Sequence, residues 1–303
     1  MQLEVTHRTH YAYTSPVSLA HHLACLQPLA DPHQQRLRFS LEVSPQADSR
    51  SEAKDTHGNT CHWFSLWQAH RELTVTSLSR VLVAHRFADL VADSAPPWDA
   101  LAHSLRYTAR AAFFDAAAQY TVPSHFVPRL DTLRDYAAPF MRPGRPVASA
   151  AMDLMQHLHD DFEYSSASTQ IDTPLAQAFE QRRGVCQDFA HLMASALRMF
   201  GVPVRYVSGY LLTHAPDDNQ PMLGADASHA WVQVYCPGTV GVPADGWLDL
   251  DPTNNLVPGL GHVRVATGRD FGDVTPLRGV IRGGGEHQLT VGVSTRLVTN
   301  FIQ

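Results

Sequence analysis

Cys186, His229 and Asp251 are spaced so that a nucleophile, a base and an orienting carboxylate could act together. A thiol attacks only as thiolate, and an ordinary pKa of about 8.5 leaves little of it ionised at neutral pH. A helix N-terminus and a neighbouring imidazolium both lower that value, and Cys186 opens a predicted helix. His229 opens the predicted strand HAWVQVYC, whose alternating apolar residues anchor the backbone while the ring projects toward a cleft. The second nitrogen of such a base must be held by an acceptor that fixes its tautomer and orientation. Asp251, closing GWLDLD and followed by Pro252 and Thr253, is the candidate.

Taken singly, these are a small buried cysteine, one histidine among 18 and a turn-capping aspartate. Their arrangement, with cysteine opening a helix, histidine opening a strand and aspartate closing the next, points to thiol chemistry. The Cys186 backbone N–H, at the helix start, is one expected oxyanion donor. Gln187 and Asp188 could shape that hole, and Asp188 reads equally well as a first-turn acid favoured by the helix dipole. His191, five residues beyond Cys186, lies on another helix face and reads as packed or hydrogen-bonded rather than metal-ligating. Trp231 fits a cleft wall or the core. Asp270 and Asp273 read as solvated loop carboxylates, with cleft lining as the alternative. No HExxH-type helix is present, and neither a metal nor a cofactor is expected.

The positioning elements follow from periodicity. Phe189, Leu192, Met193, Ala196, Leu197 and Phe200 form one helical stripe, stopped by Gly201 and Pro203, which predicts a helix buried along one side with Cys186 at its start. Another helix is predicted from Val147 to about Phe162, and a short one behind a Thr173 cap and Pro174, ending near Gly184. Strands are predicted over 204–212, 229–235 and 247–251, packed as a sheet on the cysteine helix, with a polar loop at 213–228 that could gate the cleft. Upstream, period-two runs between Leu3 and Arg86, with a turn at Asp55 to Asn59, predict an antiparallel β domain. The expectation is an α+β chain: a β-sandwich-like domain over 1–95, a helical connecting segment over 96–150, and a core over 151–303 that ends in a Gly-rich turn at 283–285 and a strand-like extension.

Composition excludes several classes. The chain has 303 residues, 44% apolar and 17% charged, which is ordinary for a folded protein. Its net charge is −6, Lys54 is the sole lysine, and no basic face for a phosphate backbone is visible, so no nucleic-acid partner is expected. No apolar run approaches the ~20 residues that span a bilayer, and the N-terminus does not read as a secretory signal. A cytoplasmic protein without a membrane partner is therefore expected. Cys25, Cys61, Cys186 and Cys236 show no disulfide-framework spacing and no CxxC pair.

The segments TPLAQAFEQRRGVCQDFAHLMASALRMFGVPVRYVSGYL, SHAWVQVYCPG and GWLDLDPTNN, between Thr173 and Asn255, resemble the core of bacterial transglutaminase-like proteins. The residues before this stretch, and GRDFGDVTPLRGVIRGGGEHQLTVGV after it, resemble that group's N-terminal β region and C-terminal continuation. The resemblance implies a papain-like fold with a Cys-His-Asp triad at Cys186, His229 and Asp251. Asp249 is the runner-up for the third place, and the proline and threonine after Asp251 favour the latter. It implies a peptide or amide substrate, attacked by Cys186 to form a thioester that passes to water or to an amine. Gln187 stands where animal cross-linking transglutaminases carry tryptophan, which favours hydrolysis. A non-enzymatic peptide-binding scaffold is the reading from a different class.

Overall fold

Strand β1 (Gln2–Ala24) is the spine of the larger sheet. Its early residues alternate, with Leu3, Val5, His7 and Thr9 buried and their neighbours less so, as a half-buried strand requires. Pro16, without an N–H to donate, lies where its ladder with the fifth strand is interrupted, between Ala12 and Val17. The structure, a computed structural model, describes residues 1–109, 114–165, 172–212, 222–223 and 228–298.

The chain continues through β2 (Gln34–Ser44), β3 (Ser49–Lys54), β4 (Thr60–Leu66) and β5 (His70–Val83). The turn at Asp55 to Asn59 forms as expected: Asp55 Oδ1 accepts from the N–H groups of His57 (2.8 Å) and Asn59 (2.9 Å). Helices α1 (Trp98–Ser104), α2 (Asp131–Ala137) and α3 (Val147–Asp161) follow, then β6 (Glu163–Tyr164), α4 (Leu175–Gln181) and β7 (Arg183–Gly184). Pro174, not Thr173, occupies the cap position of α4, which stops at Gln181 because Arg182 turns left-handed, at φ 53°.

Next come α5 (Cys186–Arg198), β8 (Val204–Leu211), β9 (Met222–Leu223), β10 (His229–Tyr235), β11 (Trp247–Leu250), β12 (His262–Gly268), α6 (Phe271–Val274), β13 (Leu277–Gly283) and β14 (His287–Leu297). Apart from β9 and Ser228, the expected gating loop lies outside the described residues. Among the described residues a four-stranded antiparallel sheet runs in the order β11-β10-β8-β12, and α5 packs on it. Also among the described residues, eight strands form the larger antiparallel sheet, in which β13 and β14 hydrogen-bond along β1. This is the expected α+β arrangement of helices on an antiparallel sheet, with a strand-rich N-terminal region.

Helix α5 is buried on all sides rather than along one, since Cys186 and Asp188 through Arg198 are all buried. Its polar side chains tolerate this because each is paired. His191 Nε2 accepts from the Phe271 N–H (3.2 Å), Ser195 donates to the Pro128 carbonyl (2.7 Å), and Arg198 donates to the Val204 carbonyl (2.7 Å). The core around α5 also takes in Leu3 and Val5 of β1 and Val81 and Val83 of β5, so the N-terminal sheet is anchored in the apolar mass that supports the site.

The cysteines correct one expectation, because Cys25 and Cys61 form a disulfide. They are 36 residues apart, which hides the pairing in the sequence. The antiparallel β1–β4 register sets Ala24 opposite His62 and brings the two Cα atoms to 4.7 Å. Cys186 and Cys236 are free. No helix among the described residues is long and apolar enough to cross a membrane.

Candidate active site

Cys186 is the first residue of α5, behind Val185 in extended conformation. The first N–H groups of a helix have no intrahelical acceptor, so the sulfur sits where backbone donors and the positive end of the helix dipole converge. Asp188 Oδ2 accepts from the Val185 N–H (2.9 Å), tying down the chain before the cysteine. Gly184 must lack a side chain for the same reason, as a Cβ there would lie 2.7 Å from Asp188 Cβ. Asp188 thus takes the first-turn role, and Gln187 lines the cleft beside Cys186.

His229 opens β10, opposite Gly209 of β8. Its Nε2–H donates to Asp251 Oδ2 (2.7 Å), and its ring lies near enough to Cys186 for the thiol to favour its charged form; the Cys186 sulfur also lies 4.0 Å from the Ser228 carbonyl oxygen. Burial opposes charging this ring, but the interactions with Asp251 and Cys186 outweigh it and raise the pKa to about 10. Trp231, two residues on, does not line the cleft. It is fully buried, stacked 6.0 Å from His229 and edge-on to His262.

Asp251 lies just past β11 and is wholly inaccessible. Its two oxygens divide the work. Oδ1 accepts from the N–H groups of Thr253 (3.0 Å) and Asn254 (3.2 Å), making the turn that Pro252 begins. Oδ2 accepts from His229, His262 (3.1 Å) and the Asn254 amide (2.7 Å). Burial alone would favour the neutral acid, but these donors hold the carboxyl well below the usual range. Asp249 faces elsewhere, with Arg264 Nε 3.9 Å from its carboxylate and burial pushing its pKa up.

The structure therefore brings Cys186, His229 and Asp251 together, with His229 hydrogen-bonded to Asp251 and with Cys186 and His229 opening on a cleft of about 480 Å³. His262, which opens β12, was missed. The available signal was the one that identified His229, a histidine starting a strand of alternating valines, but its polar neighbours conceal a strand that is buried throughout. Asp270 and Asp273 are not solvated as expected. Asp270 is buried, accepting from the Phe126 and Gly272 N–H groups (both 2.9 Å), and Asp273 pairs with Arg269 and His57. His191 is packed, stacked on Phe126 and neutral, its pKa lowered to about 3 mainly by burial.

His229, Asp251 and His262 offer donor atoms within 4.8 Å of one another, a set a transition cation could use. Both Nε2 atoms lie at ordinary N–H···O distance from Oδ2, however, and the geometry is that of a hydrogen-bonded cluster.

Two family models match the chain. The bacterial transglutaminase-like N-terminal region covers residues 3–82, and the transglutaminase-like superfamily covers residues 134–252. An uncharacterized protein of Mycobacterium tuberculosis is 36% identical over 298 residues, spanning 97% of this chain and 91% of its own. Another, from Mycobacterium leprae, is 33% identical over 300 residues, spanning 98% and 99%. A protein-glutamine gamma-glutamyltransferase of Pseudomonas aeruginosa is 31% identical over 140 residues, 45% of this chain and 20% of that enzyme. The crystal structure of a candidate cysteine protease from Cytophaga hutchinsonii superposes with a TM-score of 0.72 at 22% identity, covering 99% of this chain and 92% of its own, and shares the fold. Sequence, family models and fold agree that this chain is a member of the bacterial transglutaminase-like family.

Proposed function

We propose that the protein is a cysteine-dependent acyl-transfer enzyme that cleaves an amide or peptide bond through a thioester on Cys186. The observation that carries this reading is the His229 ring, held by Asp251, facing the same cleft as the Cys186 sulfur and near enough to interact with it. Cys186 Sγ attacks the carbonyl carbon, and the thiol proton rests on His229. Collapse of the tetrahedral intermediate breaks the C–N bond as His229 protonates the departing amine. Asp251 holds the ring and stabilises its charge without itself taking up a proton. The Cys186 N–H is one donor to the oxyanion.

Water then releases the acyl group as a carboxylic acid. Gln187 beside the nucleophile supports hydrolysis. Transfer to an amine is the second reading, favoured by the similarity to the Pseudomonas aeruginosa gamma-glutamyltransferase over 140 residues. Incubation of the purified protein with a peptide library, with and without a primary amine and alongside Cys186→Ala, tests both. Cleavage products lost in the variant support hydrolysis, and amine-tagged peptides support transfer. Absence of both, or equal turnover by the variant, refutes the enzymatic reading and leaves a peptide-binding scaffold.

A further inference from the structure

The cleft that holds Cys186 and His229 is closed on its far side by the N-terminal sheet. The inward face of β1, which sends Leu3 and Val5 into the core, continues through His7, Thr9 and Tyr11 to the cleft. Across the ladder Thr9 pairs with Val291 and Tyr11 with Leu289, so two strands distant in sequence lay one stripe of side chains opposite the sulfur. Leu277, Leu289, Val291 and Phe271 add apolar surface to the lining. Among the described residues it contains no Asp, Glu, Lys or Arg.

The polar groups on that wall are engaged with one another. His7 Nδ1 lies 3.0 Å from the Tyr210 hydroxyl and its Nε2 lies 3.2 Å from Thr9 Oγ1. Burial lowers the His7 pKa to about 4, so the ring is neutral near pH 7 and gives an anion no counter-charge. An ionised substrate group seated against this wall, away from His229, would lose its hydration without a partner, whereas an apolar group gains by leaving water. The volume is within the range of pockets that bind small molecules.

We infer that the acyl group delivered to Cys186 carries a bulky, uncharged, mainly apolar side chain next to the scissile carbonyl, seated against the wall formed by Thr9, Tyr11, Leu289 and Val291. This rests on the thiol acyl-transfer reading and holds whether water or an amine is the acceptor. It also makes the N-terminal sheet and the C-terminal strand part of substrate selection.

The test uses four acyloxymethyl ketones, each built on one acetylated residue: leucine, phenylalanine, aspartate or lysine. Second-order rates of Cys186 modification are read by intact mass, with iodoacetamide as a small reagent that needs no pocket. The leucine and phenylalanine probes should react on the order of tenfold or more faster than the charged pair. Leu289→Lys, a change at a half-exposed position, should raise the aspartate rate and lower the phenylalanine rate while leaving iodoacetamide unchanged. Equal rates for all four probes with normal iodoacetamide labelling overturn the pocket inference and leave the nucleophile intact. Failure of iodoacetamide to modify Cys186 overturns the thiol reading, and the inference with it.

Discussion

His262 Nε2 lies 3.1 Å from Asp251 Oδ2, the same oxygen that holds His229 at 2.7 Å. One buried carboxylate thus anchors two histidines carried on β10 and β12, with β8 between them. In the proposed reaction His262 reaches the reacting atoms only through Asp251, as a positioning residue. Losing a hydrogen bond to a charged group costs about 1.5–3 kcal/mol. His262→Leu should lower kcat/KM about 10- to 100-fold, whereas His262→Gln, which keeps an N–H donor, should recover part of the loss. Equal effects of the two changes would show that only packing against Trp231 matters.

The pH profile follows from His229. Its pKa is raised to about 10, so the ring stays protonated until the pH approaches that value. kcat/KM should fall on the alkaline side near pH 10. Asp251→Asn removes the charge behind the ring and should pull that limb down toward the ordinary histidine value of about 6.5, with turnover reduced on the order of 10⁴-fold. Because the folded value is the higher one, this group's contribution to stability is complete below about pH 6.5 and is lost as pH rises through about 10. Rate profiles of both proteins between pH 5 and 11 check this, and a limb that stays put in the variant contradicts it.

Thiol accounting separates the four cysteines. Cys25 and Cys61 are bonded, and Cys236 is fully buried, with burial pushing its thiol pKa up. Iodoacetamide near neutral pH should therefore modify Cys186 ahead of the rest. Unfolding without reductant should expose two thiols, rising to four with reductant. Peptide mapping by mass spectrometry gives both results, and preferential labelling of Cys236 would be incompatible with them.

Gly209 supplies room rather than chemistry. A Cβ there would run into the Val263 carbonyl of β12 and the Trp231 ring, the aromatic plate behind His229. Both obstacles are fixed, so Gly209→Ala should destabilise the fold by about 1–3 kcal/mol through overpacking. Urea titration measures that cost, and a midpoint equal to the parent's argues against a rigid plate. Activity should fall as well, because the shift falls on the strand facing His229.

Helix α3, helix α5 and strands β8, β10 and β11 were legible because their apolar residues recur at the period of the element that buries them. Strand β12 was not. His262 and Arg264 look like surface residues until Asp251 and Asp31 are seen to pair with their side chains, and burial of a polar side chain depends on partners that can lie far away along the chain. The same limit hid the sides of α5 that carry His191 and Ser195, and it made Asp270 look like a solvated loop acid.

The sequence by itself determined the order and type of the pieces: a cysteine at a helix start, a histidine at a strand start, and an aspartate before proline. Each is encoded locally, in caps, periods and turn residues. Only tertiary structure decided that Asp251 rather than Asp249 holds the ring, that His262 shares its oxygen, that Cys25 meets Cys61, and that β1 and β14 close the cleft. Those outcomes depend on strand register, and register is settled by packing between segments up to nearly three hundred residues apart, which no local pattern contains.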